Sequence, residues 1–184
     1  MLQTQEFDKK VSDQFSESLV ETLNRGALSL MLSLGHRTGL FDTLEGMEPA
    51  PSQDIADKAG LNERYVREWL GSMVTGGVVR YDAEDKSYFL PPEHAAWLSR
   101  KSAEENIAVF AQYISQLGSV EDQILDCFKN GGGVPYSSFK RFHEIMEEDS
   151  GQSIVPVIVD QVIPLMEGMK EALVEGVNVL DVGS

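Results

Sequence analysis

The sequence predicts a mainly α-helical chain with a small β-hairpin. Its order is a winged helix-turn-helix, a helical linker and one strand at the C-terminal end. Three observations carry this. Apolar residues recur at helical spacing through most of the 184 residues. Over residues 39–91, three short helical segments precede two strand-like runs, Val78-Val79-Arg80-Tyr81 and Ser87-Tyr88-Phe89-Leu90, around the polar turn Asp82–Lys86. Finally, Val177, Val179, Leu180 and Val182 suit a strand buried on both faces, with Asp181 near its end and Gly183 at the turn. A strand ending in a glycine turn is how a nucleotide-binding βα unit begins, because glycine lets the backbone approach a ligand.

Composition narrows the function classes. Apolar residues make up 42% of the chain and charged ones 24%, enough for a core and a wetted surface. The net charge is −15, and residues 121–184 hold 12 acids against 4 bases. Such a chain repels phosphate backbones unless a basic patch is concentrated somewhere. The densest basic spots are the pairs Lys9-Lys10, Arg100-Lys101 and Lys140-Arg141, which read as solvated helix surface. Cys127 is the only cysteine, so no intrachain disulfide forms, and no Cys/His spacing fits a metal site. Met1–Glu6 lacks the basic start and apolar run of a signal peptide, and no apolar stretch is long enough to span a bilayer. The expectation is a cytoplasmic chain with neither nucleic-acid nor membrane partners.

Residues 4–38 read as helix. Phe7, Val11, Phe15, Leu19 and Leu23 repeat at i+4, with Val20 beside them. Asn24-Arg25-Gly26 marks a break or bend, and Ala27–Leu34 is apolar almost all round, which predicts burial on several sides. The stripe suits either packing on its own domain or a homodimer interface. Gly39–Leu44 predicts a short helix ended by Pro49-Ala50-Pro51. Ser52 is the expected N-cap of a helix through Ala59, closed by Gly60. Asn62 caps Glu63–Thr75, whose expected core stripe is Tyr65, Val66, Trp69, Leu70 and Met73. After Pro91-Pro92 comes a short helix through Leu98. A helix from Ser102/Ala103 to Ser115 follows, with Ile107, Phe110, Ala111 and Ile114 on one face, then another over Leu117–Phe128. Ser137/Ser138 are the expected cap of a helix through Glu147. A last helix begins at Gly151 or Gln152, is interrupted by Pro164, and is completed by Leu165–Glu175.

Two stretches bear on chemistry. Residues 52–94 carry 8 acids and 5 bases, so the winged helix lacks the surface that duplex binding needs. A structural or dimerising role is expected instead. Past the loop Asn130–Pro135, the segment Tyr136–Met146 gathers Tyr136, Phe139, Phe142 and His143. On one helix, Phe139 and His143 would share a face. They suit a lid over a small-molecule pocket, or simply a core-facing aromatic pair beside an exposed histidine. The run Glu144, Glu147, Glu148, Asp149 lacks calcium-loop spacing and reads as solvated charge rather than a metal site.

Val-Leu-Asp-Val-Gly at 179–183 resembles the first motif of class I S-adenosylmethionine-dependent methyltransferases, without its later glycines. Gly35-His36-Arg37-Thr38-Gly39-Leu40-Phe41, Arg64–Leu70 and Phe142-His143-Glu144 with Asp149-Ser150 resemble more closely the methyltransferases with an Rv2258c-like winged-helix domain, over about residues 26–184. The resemblance implies N-terminal helices over 1–38, a winged helix over 39–99 and a helical linker and substrate lid over 100–176. It also implies the first strand of a truncated Rossmann-like methyltransferase domain from 177. Asp181, Gly183 and Ser184 would belong to the S-adenosylmethionine site, Phe139 and Phe142 would wall a small-molecule acceptor, and His143 and Tyr136 are the candidates for proton transfer. About 150 further residues would be needed to complete such a domain, so this chain is expected neither to bind the cofactor nor to catalyse alone. The rival reading is a non-enzymatic winged-helix regulator or dimerisation module. A fragment should leave the strand 177–182 exposed and unpaired, whereas a complete module should order it.

Overall fold

The computed structural model describes residues 7–101 and 105–180. These divide into two compact units, one through Phe139 and one from Lys140.

The first unit begins with α1 (Lys9–Arg37). Asp8 caps it, its carboxylate accepting from the backbone N–H groups of Lys10 and Val11 at 2.9 and 3.2 Å. The expected break at Asn24-Arg25-Gly26 is absent, and the helix runs through it. A lone interior glycine costs only about 1 kcal/mol, and the Arg25–Glu21 ion pair bridges the turn before it. Nor is Ala27–Leu34 buried on several sides. Leu28, Met31 and Leu32 pack on the core while Leu30 and Leu34 stay exposed.

The winged helix follows: α2 (Leu40–Leu44), α3 (Ser52–Ala59), α4 (Glu63–Thr75), the strands β1 (Arg80–Asp82) and β2 (Ser87–Phe89), and α5 (Pro92–Ala95). The strands pair antiparallel, Tyr81 opposite Tyr88. Ala50 adds a third backbone position to this small sheet, exchanging hydrogen bonds with Tyr88 at 2.8 and 3.1 Å. Pro49 and Pro51 have no N–H to extend that pairing, so it stops after one residue. Leu40, Phe41, Leu44, Ile55, Val66, Leu70, Met73 and Val79 form the centre of the core. Gly60 turns the chain between α3 and α4 at φ 67°, a left-handed value that favours glycine.

Two expectations here are corrected. Ser52 is the first helical residue rather than the cap, and its hydroxyl donates to Glu63 at 2.7 Å, linking α3 to α4. Tyr65 is 74% exposed and does not belong to the core stripe of α4. It lies one residue before Val66, turned by the helical 100° onto the flank of the buried face. Asn62 does cap α4, accepting from Arg64 N–H at 3.1 Å.

Helix α6 (Ala108–Gly118) packs on α1. Its expected start at Ser102/Ala103 lies outside the described residues, and residues 105–107 precede the helix. Its orientation differs from the apolar pattern. Ala108, Val109, Gln112 and Gln116 are buried, while Ile107, Phe110 and Ile114 face outward. The buried side of α1 offers Ser33 and His36, so small and amide side chains suit that seam better than large apolar ones. Helix α7 (Glu121–Asn130) starts four residues later than expected, leaving Leu117 at the exposed end of α6.

The second unit holds α8 (Phe142–Val157), a wide π turn at Ile158–Val162, a 3-10 turn at Ile163–Leu165 and α9 (Met169–Glu175). The sequence reading places a new helix start at Gly151 or Gln152, but α8 continues through both. The chain changes winding only past Pro156 and around Pro164, where two backbone donors are missing. Gly168 then resets it, so the last helix begins at Met169 and not at Leu165. Residues 177–180 have no strand partner among the described residues, and Val179 and Leu180 are 74% and 85% exposed.

Candidate functional site

Helix α7 ends at Asn130 because Gly131 and Gly132 take φ values of 73° and 94°, which residues with a Cβ rarely adopt. These glycines, Gly133, Asp122, Gln123, Asp126 and Cys127 line an open cleft of about 450 Å³. Pro135 then fixes an extended entry to a 3-10 turn at Tyr136–Ser138. The Ser138 hydroxyl donates to Gln123 at 2.8 Å, tying this turn back to α7. Ser137 and Ser138 therefore lie inside a turn of their own and do not cap the next helix.

Four of the expected site residues follow from this geometry. Tyr136 is 74% exposed, and Phe139 closes its turn, its N–H donating to the Tyr136 carbonyl at 3.0 Å. Phe139 has φ −90° and ψ 75°, outside any helix, so it does not share a helical face with His143. Phe142 and His143 open α8 in the second unit. Their rings meet edge to face at 5.7 Å, with Phe142 half-buried and His143 exposed. Among the described residues, His143 has no carboxylate partner to orient its imidazole. Tyr136 thus pairs locally with Phe139, and Phe142 with His143. Asp181, Gly183 and Ser184 lie outside the described residues. No cluster of three His, Cys, Asp or Glu able to hold a metal occurs among the described residues.

One polar centre of the first unit escapes sequence reading. Arg100 donates to the His36 carbonyl and to Asp42 at 2.8 and 2.9 Å, and its other guanidinium nitrogen lies 2.8 Å from the buried His36 Nε2. The Arg100 backbone N–H and the Ser99 hydroxyl also reach Asp42, at 2.7 and 3.0 Å, and Ser99 donates to Glu45 at 2.6 Å. Burial by itself raises the Asp42 carboxyl. The Arg100 backbone bond, its guanidinium and the Ser99 hydroxyl outweigh that and hold it below the ordinary aspartate value. The partners lie 54–64 residues apart, so no local spacing signals them.

A second cleft, of about 530 Å³, runs between α1 and α4 and is walled by Met31, Leu34, Leu61, Tyr65, Val66 and Trp69. The Trp69 indole N–H donates to the Met31 carbonyl at 2.9 Å and locks the two helices together. Phe41 packs edge to face on Trp69, with ring centroids 5.3 Å apart, and Gly35 lies so close that a Cβ would meet both rings.

The fold recurs in solved methyltransferase structures. Mitomycin 7-O-methyltransferase MmcR matches with a TM-score of 0.63 and 15% identity, over 88% of this chain and 50% of that one. Human N-acetylserotonin methyltransferase in complex with SAM matches with a TM-score of 0.57 and 15% identity, over 91% of this chain and 51% of that one. The SAH-bound CalO1, a methyltransferase in calicheamicin biosynthesis, matches with a TM-score of 0.50 and 16% identity, over 92% of this chain and 46% of that one. The chain thus spans about half the length of these structures. No curated protein matches it by sequence. Residues 26–100 match the family model described as the Rv2258c-like winged HTH domain. The caps, hairpin and core above are the body of that match, and over residues 26–100 this chain is similar to the Rv2258c-like winged HTH domain.

Proposed function

We propose that this chain is the winged-helix and helical region of an S-adenosylmethionine-dependent methyltransferase that acts on a small molecule. The observation that carries the reading is the fold, shared over 88% of the chain with an O-methyltransferase structure. The division into 1–38, 39–99, 100–176 and 177–184 belongs to the same reading, as do a homodimeric state and a cytoplasmic setting. No helix among the described residues is long and apolar enough to cross a membrane.

In the complete enzyme the cofactor supplies an electrophilic methyl group. Asp181, Gly183 and Ser184 are assigned to its site. Phe139 and Phe142 are assigned to the walls of the acceptor pocket, with Tyr136 or His143 taking a proton where the acceptor must lose one. The glycine turn before them supports the lid part of this reading, because its backbone can swing. Among the described residues, the exposed stretch 177–180 has no neighbouring strand of the kind on which a cofactor site is built.

The test is calorimetric titration of S-adenosylmethionine into the 184-residue chain and into a longer product that continues past Ser184. The expected result is no binding by the former and a stoichiometric complex with the latter. A micromolar, one-to-one complex with the short chain would overturn the fragment reading. Failure of the longer product to bind would overturn the methyltransferase reading.

A further inference from the structure

The cleft between α1 and α4 has a volume of about 530 Å³, inside the range of roughly 300–1,000 Å³ usual for small-molecule sites. Its floor is fixed from three directions. The Trp69 indole is tied to the Met31 carbonyl, its ring packs on Phe41, and Gly35 leaves room for both rings. Trp69, Leu40 and Val66 on that floor are 2–5% exposed. A floor packed this closely resists collapse into the space above it.

Most polar groups around the cleft are already engaged. The Thr38 hydroxyl donates to the Leu34 carbonyl at 2.7 Å, and the Ser72 hydroxyl to the Glu68 carbonyl at 3.2 Å. The Asn62 side-chain oxygen caps α4. The Glu68 carboxylate differs. Glu68 is the one charged residue among those that line the cleft. Arg67 is closed on Glu63 at 3.3 Å, and Arg64, one turn before Glu68, makes no ion pair with it. Among the described residues the Glu68 carboxylate therefore has no hydrogen bond and no ion pair. Tyr65 lies three residues earlier on the same side of α4 and carries a 74% exposed ring on the same rim.

An apolar cleft with a free carboxylate and an aromatic ring at its rim complements a positive head on an apolar body. The head gains from the carboxylate and from the ring face. The body gains by leaving water against Met31, Leu34 and Trp69. An anionic ligand is repelled by Glu68 and by a chain that carries −15 overall.

We infer that the cleft between α1 and α4 binds a lipophilic amine, its ammonium group at Glu68 and its apolar body over Trp69. This goes beyond the proposed function and does not rest on it, since every residue involved lies in the first unit.

The test follows the Trp69 indole N–H by NMR in the Trp97→Phe chain, where it is the only indole. The probes are naphthylmethylammonium, naphthylmethanol and naphthoate. The ammonium should shift the signal saturably at or below ~1 mM, the alcohol should bind about tenfold more weakly, and naphthoate should not bind. Glu68→Gln should weaken the ammonium about tenfold and leave the alcohol unchanged. Glu68→Lys should pass the preference to naphthoate. Glu68 is exposed, so both variants should keep the parent spectrum away from the cleft. No saturable shift with the ammonium would overturn the inference. Equal affinity for the three probes, or an ammonium affinity unmoved by Glu68→Gln, would overturn it too, by reducing the cleft to a bare apolar surface. A signal that moves with protein concentration alone and resists the ammonium would give the cleft to a second copy of the chain, and would equally overturn it. The cofactor titration is untouched by any of these results.

Discussion

At Asp42, two residues 57 and 58 positions away, Ser99 and Arg100, converge on one carboxylate. It accepts from the Arg100 guanidinium, the Arg100 backbone and the Ser99 hydroxyl. Its carboxyl is held below the ordinary aspartate value, so its contribution to stability is fully present above the unfolded-state value and drains away as pH falls through the folded one. Asp42→Asn should cost about 1–3 kcal/mol near neutral pH, by analogy with other hydrogen bonds to charged groups. The gap between parent and variant in chemical denaturation should stay level down to about pH 4 and narrow below it. A gap that widens in acid would reverse the assignment. The other residue-scale prediction concerns His143, which is exposed and meets the Phe142 ring edge to face. If it takes the acceptor's proton in the complete enzyme, His143→Ala should lower kcat by about a hundredfold with cofactor affinity unchanged. Turnover and melting temperature measured on the same variant separate this from a packing role.

Among the elements, the winged helix tests the charge argument directly. Its second helix-turn-helix segment, α4, sets Arg64 and Arg67 against Glu63 and Glu68, and the Arg67–Glu63 pair is closed at 3.3 Å. Its wing carries Asp82, whose carboxylate is engaged with the backbone N–H groups of Glu84 and Asp85. Fluorescence anisotropy with duplex DNA should show no tight binding at low salt. Tight binding that weakens steeply with salt would reveal a basic surface not visible in these helices. The same elements show where sequence reading succeeds. The winged helix was legible because its signals are local: Asn62 as a cap, Gly60 and Gly76 as stops, a polar turn between two short strands. Helix α6 was not. Its outward side is as apolar as a core face, and its buried side is made of alanine, valine and glutamine. Periodicity finds a face but not which neighbour it meets. Phe139 was misplaced because a 3-10 turn and a proline entry can satisfy the same residues that a helix cap would. Asp181, Gly183 and Ser184 were named from resemblance, and the geometry around them stays outside the described residues.

For the whole molecule, the bond from Arg100 to His36 sets an order of events during synthesis. It joins residues 64 apart, and the bonds to Asp42 span 58. A contact that long closes late, because the loop entropy must be met before the contact returns anything. While the ribosome is still making the hairpin, the end of α1 and all of α2 exist without their clasp. Chains released after Leu98 should therefore be cut by protease near 36–45 far faster than chains released after Lys101, though the two differ by only three residues. Equal resistance would mean that the apolar core alone closes the domain. Greater resistance of the longer chain would make the clasp the one late tooth of a ratchet, catching as residues 99–101 clear the exit tunnel.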